Sequence, residues 1–239
     1  MSAKIDEAAP NDRLRRLYGR RQGRPLRVGK RRLIDELLPK VSVSFASDQA
    51  PGSLDPTSLF ANKPDDVWLE VGFGGGEHLA AQAEAHPGVG FIGAEPFING
   101  VASLLKLIDA KGAANVRILM DDARPLLAAL RPSSIDRAFI LFPDPWPKKR
   151  HWKRRIVCGA VLDELARILR PGAELRLATD DPGYGEWMLL TLLAHPAFEW
   201  TARGPADWRI RPVDQPQTRY EAKALAGAPP LFLTARRCG

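Results

Sequence analysis

Apolar positions from residue 67 onward alternate between two spacings. Short apolar runs at 67–71, 90–94, 116–120, 135–142 and 174–178 are typical of buried strands. Between them, apolar residues recur at helical spacing, which predicts helices over 77–85, 98–110, 125–130, 156–169 and 184–193. Two later runs, 198–201 and 231–235, predict a closing pair of strands. This alternation predicts an α/β fold with a mostly parallel sheet and helices on both faces.

The first 44 residues lack this pattern and are polar, basic and poor in aromatic side chains. We expect a flexible arm over 1–44, with a short helix near residues 32–38, and a single domain over 45–239. Residues 1–32 carry eleven Lys and Arg against three Asp and Glu. Clustered positive charge of this kind favours a polyanionic partner, although a solvated basic tail has the same composition.

The overall composition narrows the class of protein. The chain has 239 residues, of which 45% are hydrophobic, enough for one α/β core, and its formal net charge is +7. The two cysteines are far apart and the four histidines are scattered, so we expect neither a disulfide framework nor a metal site. No apolar stretch approaches the ~20 residues of a membrane span, and none follows the basic N-terminus as in a secretory signal. We therefore expect a cytoplasmic protein.

The most informative stretch, residues 142–155, reads Phe-Pro-Asp-Pro-Trp-Pro-Lys-Lys-Arg-His-Trp-Lys-Arg-Arg. Its three prolines end the preceding strand, because proline lacks the ladder N–H and fixes φ. The resulting stiff loop holds Asp144 and Trp146 at the carboxyl end of that strand, where open α/β sheets bind ligands. Six cations follow within eight residues. This combination indicates chemistry on a nucleobase beside a phosphate clamp, with Trp146 placed either to stack on the base or to pack the loop.

The first predicted strand runs into a glycine-rich loop, Glu70-Val71-Gly72-Phe73-Gly74-Gly75-Gly76, ahead of a helix. Glycine lets the backbone approach a ligand that a Cβ would block. A dinucleotide fingerprint beginning at Gly72 would need a glycine at position 77, where this chain has Glu77, a poor neighbour for a pyrophosphate. S-adenosylmethionine fits better, because it is cationic and carries no phosphate.

Acidic residues also follow the next two predicted strands. Glu95 ends the second strand, where a carboxylate can accept hydrogen bonds from both hydroxyls of a ribose. Asp122, followed by Ala123, ends the third strand, within reach of an adenine amine. Solvated loop residues are the alternative interpretation. An acid at the end of three successive strands favours a cofactor site.

Together these motifs resemble the bacterial tRNA (guanine-N7-)-methyltransferases of the TrmB type, from about residue 69 to the C-terminus. The proline and basic run is the most specific part of the resemblance, since a glycine loop alone indicates only a methyltransferase. The other matching motifs are Glu95, Asp122-Ala123, Thr179-Asp180 and Thr218-Arg219-Tyr220-Glu221. The resemblance implies a Rossmann-like class I S-adenosylmethionine-dependent methyltransferase fold with a seven-stranded sheet.

The resemblance also implies an activity and a set of roles. The activity is methyl transfer from S-adenosylmethionine to N7 of a guanosine in tRNA, at position 46 of the variable loop. Asp144 would be the catalytic carboxylate, and the cofactor would be bound by Glu70, Gly72, Gly74, Glu95, Asp122 and Ala123. The substrate would be bound by Lys148, Asp180, Thr218, Arg219, Tyr220 and Glu221, and the RNA by Arg150, His151, Lys153, Arg154 and Arg155. A monomer and a homodimer are both open.

One departure from the family pattern concerns Arg211. Residues 214–217 separate it from Thr218 more widely than in family members, which weakens any role for Arg211. Two other functions stay open: an RNA-binding protein without catalysis and a methyltransferase of exocyclic amines. The intact acids argue against the first, and the alternation of proline and acid before a basic run argues against the second. Glu77 disfavours a nicotinamide dehydrogenase.

Overall fold

Seven strands form the sheet in the part of the chain that the computed structural model describes, residues 19–45, 50–218, 221 and 228–239. They are β1 (Val67–Val71), β2 (Gly90–Ala94), β3 (Val116–Leu119), β4 (Ile135–Leu141), β5 (Leu169–Thr179), β6 (Phe198–Trp200) and β7 (Leu231–Arg237). Their order is β3-β2-β1-β4-β5-β7-β6. β1 to β5 are parallel, whereas β7 runs antiparallel to both β5 and β6. The predicted fold class, a mostly parallel seven-stranded sheet, is confirmed.

The helices of the described residues are α1 (Val28–Glu36), α2 (Leu38–Val41), α3 (Glu77–Ala85), α4 (Ile98–Lys111), α5 (Ala123–Ala129), α6 (Gly159–Ile168), α7 (Pro182–Leu193) and α8 (Ala206–Arg209). α4 ends where Gly112 adopts a left-handed φ of 63°. α7 begins at Asp181, whose side chain accepts a hydrogen bond from the Tyr184 N–H at 2.7 Å. No helix in these ranges is both long and apolar enough to cross a membrane.

Helices cover both faces of the sheet. Leu126, Leu162 and Met188, from α5, α6 and α7, belong to the core on one face. Leu79 and Leu104, from α3 and α4, belong to the core on the other face. Burial on both faces explains why the parallel strands read as continuous apolar runs rather than as alternating ones.

Two predicted boundaries differ from the structure. The helix expected over 156–169 begins only at Gly159, because a 3₁₀ turn, Lys149–Arg154, and extended residues occupy the chain before it. β5 begins at Leu169 rather than at residue 174, since Leu169 already pairs with Ile135. A register shift then absorbs the residues up to Glu174, where regular pairing resumes.

Part of the N-terminal segment that we expected to be a flexible arm lies on the domain. α1 packs against α4, and α2 contacts β3. The reason is an apolar cluster, Leu33, Ile34, Leu37 and Leu38, which joins the core beside α4 and whose signal in the sequence is diluted by the surrounding cations. Residues 1–18 lie outside the described residues.

Candidate active site

A cleft of about 540 Å³ opens at the carboxyl ends of β1, β2 and β4. Its walls come from several separate stretches of chain: residues 19–20, the glycine loop, the residues after β2, the start of α5, the proline loop after β4 (residues 142–147), and residues 154 and 156. Six of the predicted cofactor and catalytic residues line it, namely Gly72, Gly74, Glu95, Asp122, Ala123 and Asp144, and so does Arg154, a predicted RNA contact. The fold therefore brings the predicted cofactor residues and the predicted catalytic carboxylate to one place.

The glycine loop offers bare backbone to the cleft. Gly72 and Gly74 adopt left-handed φ values of 76° and 53°, and open space lies where their Cβ atoms would be. Behind the loop there is no such room, because a Cβ on Gly100 of α4 would come within 2.2 Å of the Gly74 carbonyl oxygen. The loop is thus pressed against α4 on one side and open to a ligand on the other.

Glu95 is the residue that ties this loop to β2. Its side chain accepts hydrogen bonds from the Gly74 N–H and the Phe97 N–H, both at 2.9 Å, and only 8% of the residue is exposed. Burial raises the pKa of Glu95, the two N–H donors oppose the shift, and the charges of Asp144 and Glu70 add to it. Two backbone hydrogen bonds therefore fix the Glu95 carboxylate in the cleft wall.

Glu70 directly precedes Val71, which lines the cleft. It is 4% exposed, and its carboxylate pairs with Nδ1 of His78 on α3 at 2.8 Å. His78 is equally buried and its other ring nitrogen lies 3.4 Å from the Gln82 amide. Sequence reasoning missed His78, although its position one residue into the predicted helix places it beside the end of β1.

Asp122 forms the start of α5. Its side chain caps the helix by accepting from the Arg124 N–H at 3.0 Å, and it also pairs with the Arg124 guanidinium. Ala123 follows it in the cleft wall. This capping arrangement fixes the carboxylate at the position where we expected the adenine of the cofactor.

The proline loop is strained at both ends of the Pro-Asp-Pro sequence. Phe142 and Trp146 have left-handed φ values of 51° and 45°, which cost free energy in residues other than glycine. Phe142 directly follows β4, and its N–H still donates to the Ala178 carbonyl of β5 at 2.8 Å. Between the two, Asp144 is exposed to the cleft and accepts no hydrogen bond from the residues that the structure describes.

Trp146 lines the same cleft and is half-buried. The Arg154 guanidinium lies over its ring, 4.8 Å from the centroid, and the ring of His151 meets it edge-on at 5.8 Å. A guanidinium over the face of an indole is held there by a cation–π attraction. Trp146 therefore packs within the loop and also contributes to the cleft wall. Both predicted roles, stacking on the base and packing of the loop, stay open.

Asp180 follows directly after β5, the neighbour of β4 in the sheet, and is half-buried. The carboxyl ends of these two strands are joined by the bond between Phe142 and Ala178. Asp144 and Asp180 therefore leave the sheet from neighbouring strand ends.

The C-terminal motif forms a local cluster in the residues that can be described. The Glu221 carboxylate accepts hydrogen bonds from the N–H and hydroxyl of Thr218, at 2.9 and 3.1 Å. It also pairs with the Arg211 guanidinium at 3.0 Å. The sequence spacing led us to discount Arg211, and this contact shows that the longer segment folds back and brings it to Glu221. Arg219 and Tyr220 lie outside the described residues.

Asp214 anchors that same segment to the sheet. Its carboxylate accepts hydrogen bonds from the Arg176 guanidinium at 2.7 and 2.9 Å and from Arg137 at 3.1 Å. Burial opposes ionisation, but the bonds from Arg176 hold the pKa of Asp214 below its usual range. The Asp214 carbonyl also accepts from the Gln82 amide at 2.6 Å, which connects the segment to α3.

The basic cluster, residues 148–155, contains both exposed and buried side chains. Lys148, Arg150 and Lys153 are exposed on and beside the 3₁₀ turn, as RNA contacts would need to be. His151 is partly exposed, and desolvation together with the neighbouring cations lowers its pKa. A neutral His151 at pH 7 would offer an imidazole rather than a further charge.

Arg155 differs from the expectation that it contacts RNA. It is only 6% exposed, and its guanidinium lies within 5.0 Å of the ring centroids of Trp152, Tyr184 and Trp187. Its Nε–H donates to the Pro145 carbonyl at 2.9 Å. A guanidinium enclosed in this way is not presented to a phosphate, so this prediction is corrected.

Sequence reasoning also missed a segment of N-terminal chain, residues 19–24, that lies along the cleft and that we call the strap. Gly19 and Arg20 line the cleft. The Arg21 carbonyl accepts from the Ile98 N–H at 3.0 Å, and the Gly23 N–H donates to the Asn99 side chain at 2.8 Å. A Cβ on Gly23 would come within 2.8 Å of the Phe97 ring, a close approach that only the structure reveals.

These residues fit S-adenosylmethionine. The open glycine backbone leaves room for a ligand, and the buried carboxylate of Glu95 ends β2, where a ribose is held in related sheets. Three carboxylates, Glu95, Asp122 and Asp144, line the cleft, and the charges of Asp144 and Glu70 act on Glu95. A cationic ligand with neighbouring hydroxyls suits this set better than a pyrophosphate does.

The strand order, the antiparallel β7 and this cleft define a class I S-adenosylmethionine-dependent methyltransferase. A family model described as a putative methyltransferase matches residues 64–232. A tRNA (guanine-N(7)-)-methyltransferase of Rhodospirillum rubrum is 53% identical over 93% of this chain and 88% of its own length. Another, of Ruegeria pomeroyi, is 47% identical over 98% of this chain and 99% of its own. The chain belongs to the tRNA (guanine-N(7)-)-methyltransferase family.

Solved structures agree with the fold at low sequence identity. The 16S rRNA methyltransferase KamB is 19% identical, with a TM-score of 0.54 over 80% of this chain and 99% of its own. The 16S rRNA (adenine(1408)-N(1))-methyltransferase of Catenulisporales acidiphilia is 20% identical, with a TM-score of 0.52 over 82% of this chain and 99% of its own. At these identities the likeness concerns the fold alone.

Proposed function

We propose that this protein methylates N7 of a guanosine in tRNA, at position 46 of the variable loop, with S-adenosylmethionine as the methyl donor. The observation that carries the proposal is the strained proline loop, which holds Asp144 in the same cleft as the cofactor residues. Membership of the family supports the base and the atom. We also propose that it acts in the cytoplasm.

Methylation at guanine N7 needs no proton transfer before the methyl group is transferred. Guanine N7 has a free lone pair at neutral pH, so no base must first remove a proton. When bound, S-adenosylmethionine supplies an electrophilic methyl group. The protein contributes mainly by holding the base in line and by stabilising charge.

Asp144 and Asp180 are the groups suited to that task. Methylation leaves the purine ring positively charged, and a nearby carboxylate stabilises this charge as it develops. Carboxylates also accept hydrogen bonds from the N1–H and 2-amino group of guanine. Adenine lacks these donors on that edge, so the same groups would reject it.

The exposed cations of the 3₁₀ turn would grip the RNA next to the base. Lys148, Arg150 and Lys153 are exposed on and beside a turn that follows the proline loop directly and whose Arg154 lines the cleft. Contacts to phosphate fix the position of the RNA but read no sequence. Base selection then rests on the cleft.

Incubation of the protein with unmodified tRNA and S-adenosylmethionine, followed by nucleoside mass spectrometry and fragment mapping, tests the proposal. The expected product is one 7-methylguanosine in the variable loop. A methyl group on an exocyclic amine would favour the alternative methyltransferase class. Tight tRNA binding without methylation would favour an RNA-binding protein that has lost catalysis.

A further inference from the structure

Arg155 is the most enclosed cation of the basic cluster, and the proposed function does not use it. A buried guanidinium is costly unless its surroundings compensate for the lost water. Here the rings of Trp152, Tyr184 and Trp187 surround it at 4.8 to 5.0 Å. Arginine tolerates such a cage because its planar, weakly hydrated head stacks on aromatic faces.

Two of the three rings of the cage lie on α7 and the third, Trp152, lies on the 3₁₀ turn, and the arginine reaches from the cage to the proline loop. Tyr184 and Trp187 lie on α7, and both also bond to the backbone of Val157, at 3.2 and 2.8 Å. From this position the Arg155 Nε–H donates to the Pro145 carbonyl at 2.9 Å. Pro145 stands between Asp144 and Trp146, so the hydrogen bond acts on the peptide that joins the loop's two functional side chains.

That peptide needs a restraint. Trp146 has a φ of 45°, a conformation that persists only where the surroundings enforce it. The helix that carries two of the three rings begins at its cap residue Asp181, immediately after Asp180. A contact from α7 to Pro145 therefore sets the proline loop relative to the strand end that carries the second proposed guanine ligand.

We infer that Arg155 is a positioning residue that fixes Asp144 and Trp146 relative to α7 and Asp180, rather than a contact to RNA phosphate. The inference rests on the proposed function and adds to it the residue that keeps Asp144 and Trp146 in position for the reaction. A merely structural role would not need a charge, because an apolar side chain of similar length fills an aromatic cage at least as well.

The test compares Arg155→Met with two matched variants in full-length protein. Arg150→Met removes an exposed guanidinium five positions earlier, and Arg167→Met removes a half-buried one that bonds the Leu127 and Leu130 carbonyls, away from the cleft. Single-turnover methylation at saturating tRNA, tRNA affinity against salt, and cofactor affinity are measured for each. Displacement of a reacting group by about 1 Å can cost on the order of a hundredfold in rate.

Arg155→Met is expected to slow single turnover roughly ten- to a hundredfold, with the parent's cofactor affinity, tRNA affinity and salt slope. Arg150→Met should instead weaken tRNA binding and flatten the slope by about one unit. Arg167→Met should keep the parent's rate. A flattened slope with a normal saturating rate for Arg155→Met would show a phosphate contact, and parent values throughout would show simple packing. Either result overturns the inference.

A second arm covers a variant that folds poorly. In Arg155→Ala, guanidinium added at a concentration far below denaturation should fill the cage and restore part of the rate, whereas sodium chloride at equal ionic strength should not. Equal effects of the two salts would count against positioning. If the parent protein itself methylates no tRNA, the proposed function fails first, so the two failures are distinguishable.

Discussion

Asp144 is exposed in the cleft at the end of a strained loop, and no described residue donates a hydrogen bond to it. We predict that Asp144→Ala keeps the fold and the cofactor affinity but lowers the single-turnover rate about a hundredfold. That is the usual loss for one preorganised electrostatic group, equivalent to about 2.7 kcal/mol. The loop's shape comes from its prolines and from Arg155, so it does not depend on this carboxylate.

Asp109→Ala, on the exposed side of α4, is the control for that experiment. It should match the parent in rate and stability. A parental rate in Asp144→Ala would show that Asp144 is an ordinary loop residue and would move the catalytic role elsewhere in the cleft.

Glu95 makes the corresponding prediction for the cofactor. Glu95→Ala should weaken S-adenosylmethionine binding by about 1.5–3 kcal/mol, the scale of a lost hydrogen bond to a charged group. Calorimetry measures this directly, and Glu84→Ala, on the exposed side of α3, should bind as the parent does. Unchanged affinity in Glu95→Ala, or tight binding of a nicotinamide dinucleotide to the parent, would contradict the assignment.

The raised pKa of Glu95 adds a pH dependence to the same measurement. Burial makes the carboxylate take up a proton at a higher pH than an ordinary Glu, whose pKa is about 4.3. Only the ionised form accepts hydrogen bonds from both ribose hydroxyls. Cofactor affinity should therefore fall on acidification before an unshifted glutamate would titrate. Glu95→Gln should remove that dependence, and parallel pH curves for the two proteins would rule it out.

At the scale of elements, the 3₁₀ turn Lys149–Arg154 exposes Arg150 and Lys153 to solvent, whereas Arg154 lies over the Trp146 ring. Replacing Arg150 and Lys153, both exposed, with Ala should weaken tRNA binding similarly for all tRNA species. It should also flatten the plot of log affinity against log salt by roughly one unit per lost contact, somewhat less on single-stranded RNA. Filter binding over a range of salt measures both. The parent's slope in the double variant would place the RNA footprint elsewhere.

The elements that the sequence predicts best are those whose signal is local. β1, β2 and α3 begin and end where expected, because each is a continuous apolar run or a helix that starts after a glycine loop. The predicted start of α6 is wrong because apolar residues at helical spacing begin at Ile156, whereas the helix begins only at Gly159. The length of β5 was missed because its first residues pair beside a register shift.

The parts of the site that sequence reasoning missed depend on distant contacts. Nothing near Arg155 shows that Tyr184 and Trp187, some thirty positions later, enclose it. The same holds for Arg211, which meets Glu221 only because the segment between them folds back. Charge alone predicts a surface contact for Arg155, and sequence spacing alone argues against a role for Arg211. Three-dimensional packing decides which cations stay on the surface.

At the scale of the whole molecule, the N-terminal charge is concentrated close to the domain. Residues 1–18 carry four cations and three acids, whereas 19–32 carry seven cations and no acid. We predict that removing 1–18 changes the salt slope little. Extending the deletion through residue 24 should also weaken cofactor binding, because Gly19 and Arg20 line the cleft and the strap is held by Ile98 and Asn99. Equal cofactor affinity for the two truncated proteins would contradict a role for the strap.

The central claim is that the protein transfers a methyl group to guanine N7 in tRNA. The most direct measurement uses tRNA in which the target guanosine is replaced by 7-deazaguanosine, whose ring has a C–H in place of N7 and whose other hydrogen-bonding edge is unchanged. The account predicts that this tRNA binds with nearly the parent affinity and receives no methyl group at that position. Methylation of the substituted nucleoside would contradict it, because the methyl group would then have gone to another atom.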